Sequence, residues 1–234
     1  MKRRLLLVTL GVVGSLVAQT AWAENRVDVV SAAASAGTNF GLRLTLQENQ
    51  TNQAYVMAGP DKGFNNESHL RGSFYIKPFG MDLPSTAGQS YFQMMDFLQG
   101  FGSNSQVKLI FFLHEDFNGD DLFLTVWHWN DHAAGGAGNW VFSGNGFFAR
   151  RSLPTVFAQN RIDYEWTAGD PGNLKAWRTN IDSGGNVGST LLMFDVPLPG
   201  QANARINYVF AGYFAGKAAQ TAGTCDFDEF VFNR

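Results

Sequence analysis

The sequence predicts an all-β chain, folded as a two-sheet antiparallel β-sandwich, on three observations. Its 234 residues include 21 Phe, 6 Trp, 6 Tyr and 26 Gly, a composition suited to strands and tight turns. No long segment repeats its apolar residues every 3.6 positions, whereas several alternate with period two. The C-terminal stretch Ala204–Arg234 reads as two aromatic-rich strands, Ile206–Phe214 and Cys225–Phe232, around a Gly- and Ala-rich loop.

Residues 1–23 have the layout of a secretory leader. Lys2, Arg3 and Arg4 precede the apolar run Leu5–Ala18, and Ala21-Trp22-Ala23 supplies the small residues of a cut after Ala23. The apolar run is shorter than the roughly 20 residues of a membrane span, and no later segment is a span candidate. The expected location is therefore secreted or periplasmic. What remains is residues 24–234, enough for one β-sandwich domain. Removing three bases from 17 Lys+Arg leaves 14 against 20 Asp+Glu, a net charge of −6. An acidic chain argues against nucleic acid or anionic lipid as partner, because both attract a positive surface. With a single cysteine, Cys225, no disulfide framework is possible. The thiol is expected to be buried on a core strand.

The elements follow in order. Asn39–Gln47 alternates, with Phe40, Leu42, Leu44 and Leu46 on one face. Leu70–Pro78 is a strand that should stop at Pro78, which cannot donate to a ladder. Ser85–Gly100 fits helix or strand; its neighbours favour strand. The sharpest local signal is Asn118-Gly119, the dipeptide of a two-residue hairpin turn, within Val107–Asn130. Pairing outward sets Leu113 opposite Leu124, Phe111 opposite Val126 and Leu109 opposite His128. This apolar face should look into the core. The other face pairs His114 with Phe123, Phe112 with Thr125, Ile110 with Trp127 and Lys108 with Trp129, which suits a wet aromatic surface. A second turn is predicted at Asn145-Gly146, joining Trp140–Ser143 to Phe147–Ser152. Arg161–Thr167 puts Ile162, Tyr164 and Trp166 inward and Asp163 and Glu165 outward. Leu174–Thr179 and Leu191–Val196 complete about a dozen strands.

From about Asn160 onward, Arg161–Trp166 (RIDYEW), Leu174–Arg178 (LKAWR), Tyr208–Phe214 and Phe227–Phe232 (FDEFVF) resemble the concanavalin A-like lectin/glucanase superfamily, which includes laminin G-like domains. Upstream, His69–Pro78 (HLRGSFYIKP) resembles that superfamily's earlier Arg-x-x-Phe-Tyr strand. The resemblance implies a jelly roll. Its glucanase branch carries a Glu-x-Asp-x-x-Glu or Glu-x-Asp-x-Glu strand whose outer glutamates are nucleophile and acid/base. Here Arg161 stands at the nucleophile position, and in Asp226-Phe-Asp-Glu229 the third acid is out of step. No catalytic residue is therefore assigned, and the chain is read as leaning away from catalysis.

Two constellations remain. Sugars are bound by flat rings that cover their C–H faces and by polar groups that fix hydroxyls. Trp127 and Trp129, two apart on one strand, with Lys108, His114 and Thr125 beside them, form such a set. In the hairpin loop, Asp116, Asn118, Asp120 and Asp121 carry the oxygens a calcium ion takes. Turn acids of this kind are more often simply solvated. No other cofactor is implied. His128 is expected to be a satisfied core-edge residue. The reading is a non-catalytic binding domain for a glycan or other extracellular polymer. A polysaccharide hydrolase or lyase on the same scaffold is the alternative, and a structural or adhesive protein a third.

Overall fold

The computed structural model describes residues 24–35, 38–62, 65–83, 91–100, 106–115, 121–131, 138–150, 159–181, 186–214 and 221–233. In chain order the strands are β1 (Arg26–Val30), β2 (Gly41–Leu46), β3 (Ala54–Ala58), β4 (His69–Asp82), β5 (Tyr91–Gln99), β6 (Gln106–Glu115), β7 (Asp121–Asn130), β8 (Asn139–Arg150), β9 (Gln159–Thr167), β10 (Gly172–Ile181), β11 (Val187–Leu198), β12 (Tyr208–Tyr213) and β13 (Ala222–Asn233). They build a seven-stranded sheet, β1-β2-β13-β4-β9-β10-β11, and a six-stranded sheet, β3-β12-β5-β6-β7-β8. Every pairing is antiparallel. The architecture is a jelly-roll β-sandwich. No helix among the described residues is long and apolar enough to cross a membrane.

The core follows from period-two alternation, which sends every second side chain to one face. Along β9, Ile162, Tyr164 and Trp166 are buried, while Asp163 and Glu165 turn outward. The Tyr164 ring stands edge-on to Phe97 of β5 and Phe111 of β6, at centroid distances of 5.4 and 5.5 Å. It thus reaches from the seven-stranded sheet into the six-stranded one. Gln201, fully buried, adds a polar tie. Its carbonyl accepts from Trp166 Nε1 at 3.1 Å, and its amide donates to the Trp129 carbonyl at 2.7 Å. Cys225 lies in the core, and burial, followed by the neighbouring Asp226 charge, pushes its thiol well up.

The β6–β7 ladder has the predicted register: Leu109↔His128, Ile110↔Trp127, Phe111↔Val126, Phe112↔Thr125, Leu113↔Leu124 and His114↔Phe123. Its turn, 116–120, lies outside the described residues, as does the leader. The region assigned to strand rather than helix is β5.

Three expectations are corrected. Phe40 precedes β2 and is exposed. Pro78 does not end its strand, because β4 continues to Asp82. The β4–β9 ladder finishes at Ile76↔Asn160, and the β13 side has a bulge between Lys77↔Asp226 and Gly80↔Thr224. Among the described residues no ladder needs the missing N–H at that point. Third, Asn145-Gly146 is not a turn. β8 runs straight through it, pairing Asn145 with Thr125 and Gly146 with Leu124, and Trp140 faces Trp129.

Space explains the glycine. A Cβ on Gly146 would stand 2.8 Å from Met193 Cβ, and one on Gly144 3.4 Å from Phe194 Cγ. The glycines let the edge strand β8 lie against β11 of the other sheet. Gly146→Ala should therefore cost about 1–3 kcal/mol, read as a lowered midpoint in urea unfolding; a loss below a few tenths would contradict close packing here.

Candidate functional site

On the outer face of the six-stranded sheet, β5, β6, β7 and β8 together frame a groove of about 620 Å³. It is lined by Gln93, Ile110, Phe112, His114, Thr125, Trp127, Trp140, Phe142 and Asn145. The face exists because the same strands spend their other side on the core. Leu109, Phe111, Leu113, Leu122, Leu124 and Val126 are fully buried on the inner side of β6 and β7. What alternates with them from Phe112 to His114 and from Phe123 to Trp129 is mostly aromatic and half-buried.

The rings stand in crossed pairs across the β7–β8 ladder. Trp127 meets Phe142 at 6.0 Å and 79°, and Trp129 meets Trp140 at 5.5 Å and 76°. Edge-to-face contact of this kind fixes each ring against its neighbour. Trp140 is 36% and Phe142 52% exposed, so the platform has not been covered by the described chain. Gly138 has no Cβ to push into the indole of Trp129, which lets the backbone approach that ring. The polar rim includes Thr125, whose hydroxyl donates to Asn145 Oδ1 at 3.1 Å.

Three of the predicted binding residues, Trp127, His114 and Thr125, line the groove. Trp129 stands one ring back, against Trp140. Lys108 does not offer its charge to the groove: it is 2% exposed, and its ammonium donates to both Asp131 oxygens at 3.0 and 2.8 Å. Sequence alternation places it on the right face but cannot show the partner that closes over it. Asp116, Asn118 and Asp120 lie outside the described residues, and Asp121 is an element end paired with Arg150. His128, as expected, is a satisfied core residue. Its Nε2 donates to the Pro199 carbonyl at 3.0 Å and its Nδ1 faces Ser143 Oγ at 2.7 Å. The tautomer follows from Pro199, whose carbonyl only accepts. Burial lowers the ring's pKa, partly offset by the Pro199 bond. Of the other tryptophans, Trp140 extends this platform, whereas Trp177 lines a cleft on the opposite sheet. Tyr164, read as inward-facing, is a core ring.

One pair was not legible in the sequence. A bulge in β5 between Gln93 and Met95 sends Met94 and Met95 both into the core. Gln93 and Asp96 then emerge on the same side, and the Gln93 amide donates to both Asp96 oxygens at 2.6 Å. Period-two counting would have put them on opposite faces. Gln93 forms part of the groove wall and Asp96 is buried behind it. Burial raises the Asp96 carboxyl from 3.8 to about 7, against the opposing effect of the Gln93 bond.

No protein-family model matches the sequence, and no curated protein sequence matches it. Among solved structures, the alginate lyase Aly36B superposes with a TM-score of 0.51 at 11% identity, over 84% of this chain and 82% of that one. A variant of that lyase in complex with an alginate tetrasaccharide gives 0.50 at 11% identity, over 83% and 80%. At this identity the likeness is one of fold.

The Asp96 carboxyl carries a pH signature. Folded, it holds its proton to about 7, whereas the ordinary value is 3.8, so its contribution to stability is lost as pH rises through that window. Asp96→Asn has no such loss. Its stability relative to wild type should improve between pH 4 and pH 8, by up to about 4 kcal/mol at about 1.4 kcal/mol per pKa unit. Urea unfolding of both proteins at the two pH values would measure it; a constant difference would contradict the burial argument.

Proposed function

We propose that this protein is a secreted or periplasmic polysaccharide-acting protein, one domain over residues 24–234. In this reading it holds an extended acidic glycan in the groove of the six-stranded sheet and cleaves it by β-elimination. The observation that carries the reading is the groove itself, with crossed Trp and Phe rings at one end and His114 at the other. Its support from the comparisons is that a lyase of uronate polymers has this fold. The finer placement within the concanavalin A-like superfamily belongs to the same reading.

The chemistry assigns roles. Stacked on Trp127, with Trp140 and Phe142 as continuation, a sugar chain would run across β6, β7 and β8. In β-elimination a base removes the proton α to the uronate carboxyl, the C4–O bond breaks, and a C4–C5 double bond forms as the leaving oxygen takes up a proton. Histidine is the side chain that exchanges protons near neutrality, which makes His114 the acceptor. Thr125 and Asn145 supply hydroxyl-fixing contacts, and the Gln93 amide is held by Asp96 at the wall.

A second reading rests on a specific observation. Among the described groove residues His114 is the one titratable group, and no Lys or Arg is present to neutralise a uronate carboxylate. That favours a binding domain without turnover. The two readings separate in one set of assays: incubation with alginate and other uronate polymers, following ultraviolet absorbance of the new double bond, together with direct binding. As a lyase, the wild type forms unsaturated ends. His114→Ala should then lower turnover about 10²–10⁴-fold with binding kept, whereas Trp127→Ala weakens binding. Binding without product selects the binding domain. Absence of both, in a folded protein, would remove the groove as a glycan site.

A further inference from the structure

The seven-stranded sheet has its own concavity, of about 390 Å³, on the opposite side of the sandwich. We propose that this cleft is a second saccharide site, centred on Trp177 and selective for uncharged sugars. It is independent of the first groove and of any turnover there.

The ladders set its residues out as a grid on one outward face. Ser73 of β4, Asp163 of β9 and Trp177 of β10 form one row, because Ser73 pairs with Asp163 and Asp163 with Trp177. On one side of that row Arg71 pairs with Glu165, and on the other Tyr75 pairs with Arg161. Neighbouring strands stand about 4.8 Å apart, so the row presents a hydroxyl, a carboxylate and an indole face at steps comparable to a sugar ring. Arg161 Nη2 donates to Asp163 Oδ1 at 2.7 Å. Such a pair offers an acceptor and donors side by side, the pattern that adjacent hydroxyls on a pyranose match, while the half-buried indole covers its C–H face.

Two ladder irregularities aim residues at this cleft. The β10–β11 pairing shifts between Ala176 and Trp177, leaving Met193 as the extra residue. The β13–β4 pairing shifts between Asp228 and Val231, and there Glu229 adopts φ 48°, a left-handed conformation rare for a side chain of this kind. Bulges re-aim side chains beside binding sites, and a left-handed non-glycine residue carries backbone strain that the surroundings must offset. Glu229 lines the cleft that results.

Charge sets the selectivity. Both cations of the cleft are already engaged, Arg161 by Asp163 and Arg71 by Glu165 at 2.9 Å. Glu229 adds one negative charge. A uronate would meet repulsion and displace an existing ion pair, whereas a neutral sugar meets satisfied charges whose remaining lone pairs and N–H groups can accept and donate.

The test is calorimetric titration of the mature chain with gluco-, manno-, galacto- and xylo-oligosaccharides, and with an oligouronate as the charged comparison. At least one neutral oligosaccharide should bind. Its affinity should fall about tenfold or more in Trp177→Ala, about 1.4 kcal/mol, and also in Asp163→Asn, while Trp177→Phe retains part and Trp127→Ala leaves it unchanged. Circular dichroism of each variant confirms folding. No binding of any neutral probe at millimolar concentration overturns the proposal, as does binding abolished by Trp127→Ala but not by Trp177→Ala. Failure of the first groove to bind uronate would leave this result standing.

Discussion

Tyr164 is anchored in one sheet and makes its ring contacts in the other, between Phe97 and Phe111. That aromatic bridge, with Phe74 at 6.5 Å on its own side, holds the two layers in register. Its hydroxyl occupies the space a Cβ at Gly72 would need, so the strand beside it must be bare at that point. Because the core is closed by large rings from both layers, each layer can leave its outer face to other uses. The two outer faces differ in kind: one is aromatic with a polar rim, the other a lattice of paired charges around a single indole.

How much of this could be read from the chain depends on the local rule involved. Alternation is a strict rule, and it correctly orients β6, β7 and β9, including the register of β6 on β7 from Leu109↔His128 to His114↔Phe123. The outward aim of Trp127 follows from the burial of Phe111 and Val126. Where alternation breaks, the reading breaks too. Gln93 and Asp96 share a side because β5 bulges at the two methionines, and nothing in the string QMMD announces that. Asn145-Gly146 has the composition of a turn, yet its glycine answers to Met193 from the other sheet, a contact distant in sequence. Pro78 is tolerated because a bulge and a ladder end coincide there. Tertiary partners, invisible locally, decided each case.

The same limit applies to charge. Lys108 lies on the predicted face, but Asp131 captures it, so a residue expected to meet a ligand instead closes one end of the sheet. Asp163 and Glu165, which a glucanase-like reading would scrutinise, are each claimed by arginine; His69 and then Arg71 hold the Glu165 carboxyl below its usual range. Ion pairs at a surface contribute little stability. Their consequence here is geometric, since they fix which donors and acceptors each face presents.

Cys225 sits in the first third of β13, paired to Leu44 and sealed from solvent. Its burial has a practical consequence. A thiol reagent can reach the sulfur only when the seven-stranded layer parts, so the labelling rate of this one cysteine becomes an intrinsic clock for opening of the sandwich, readable without introducing any probe.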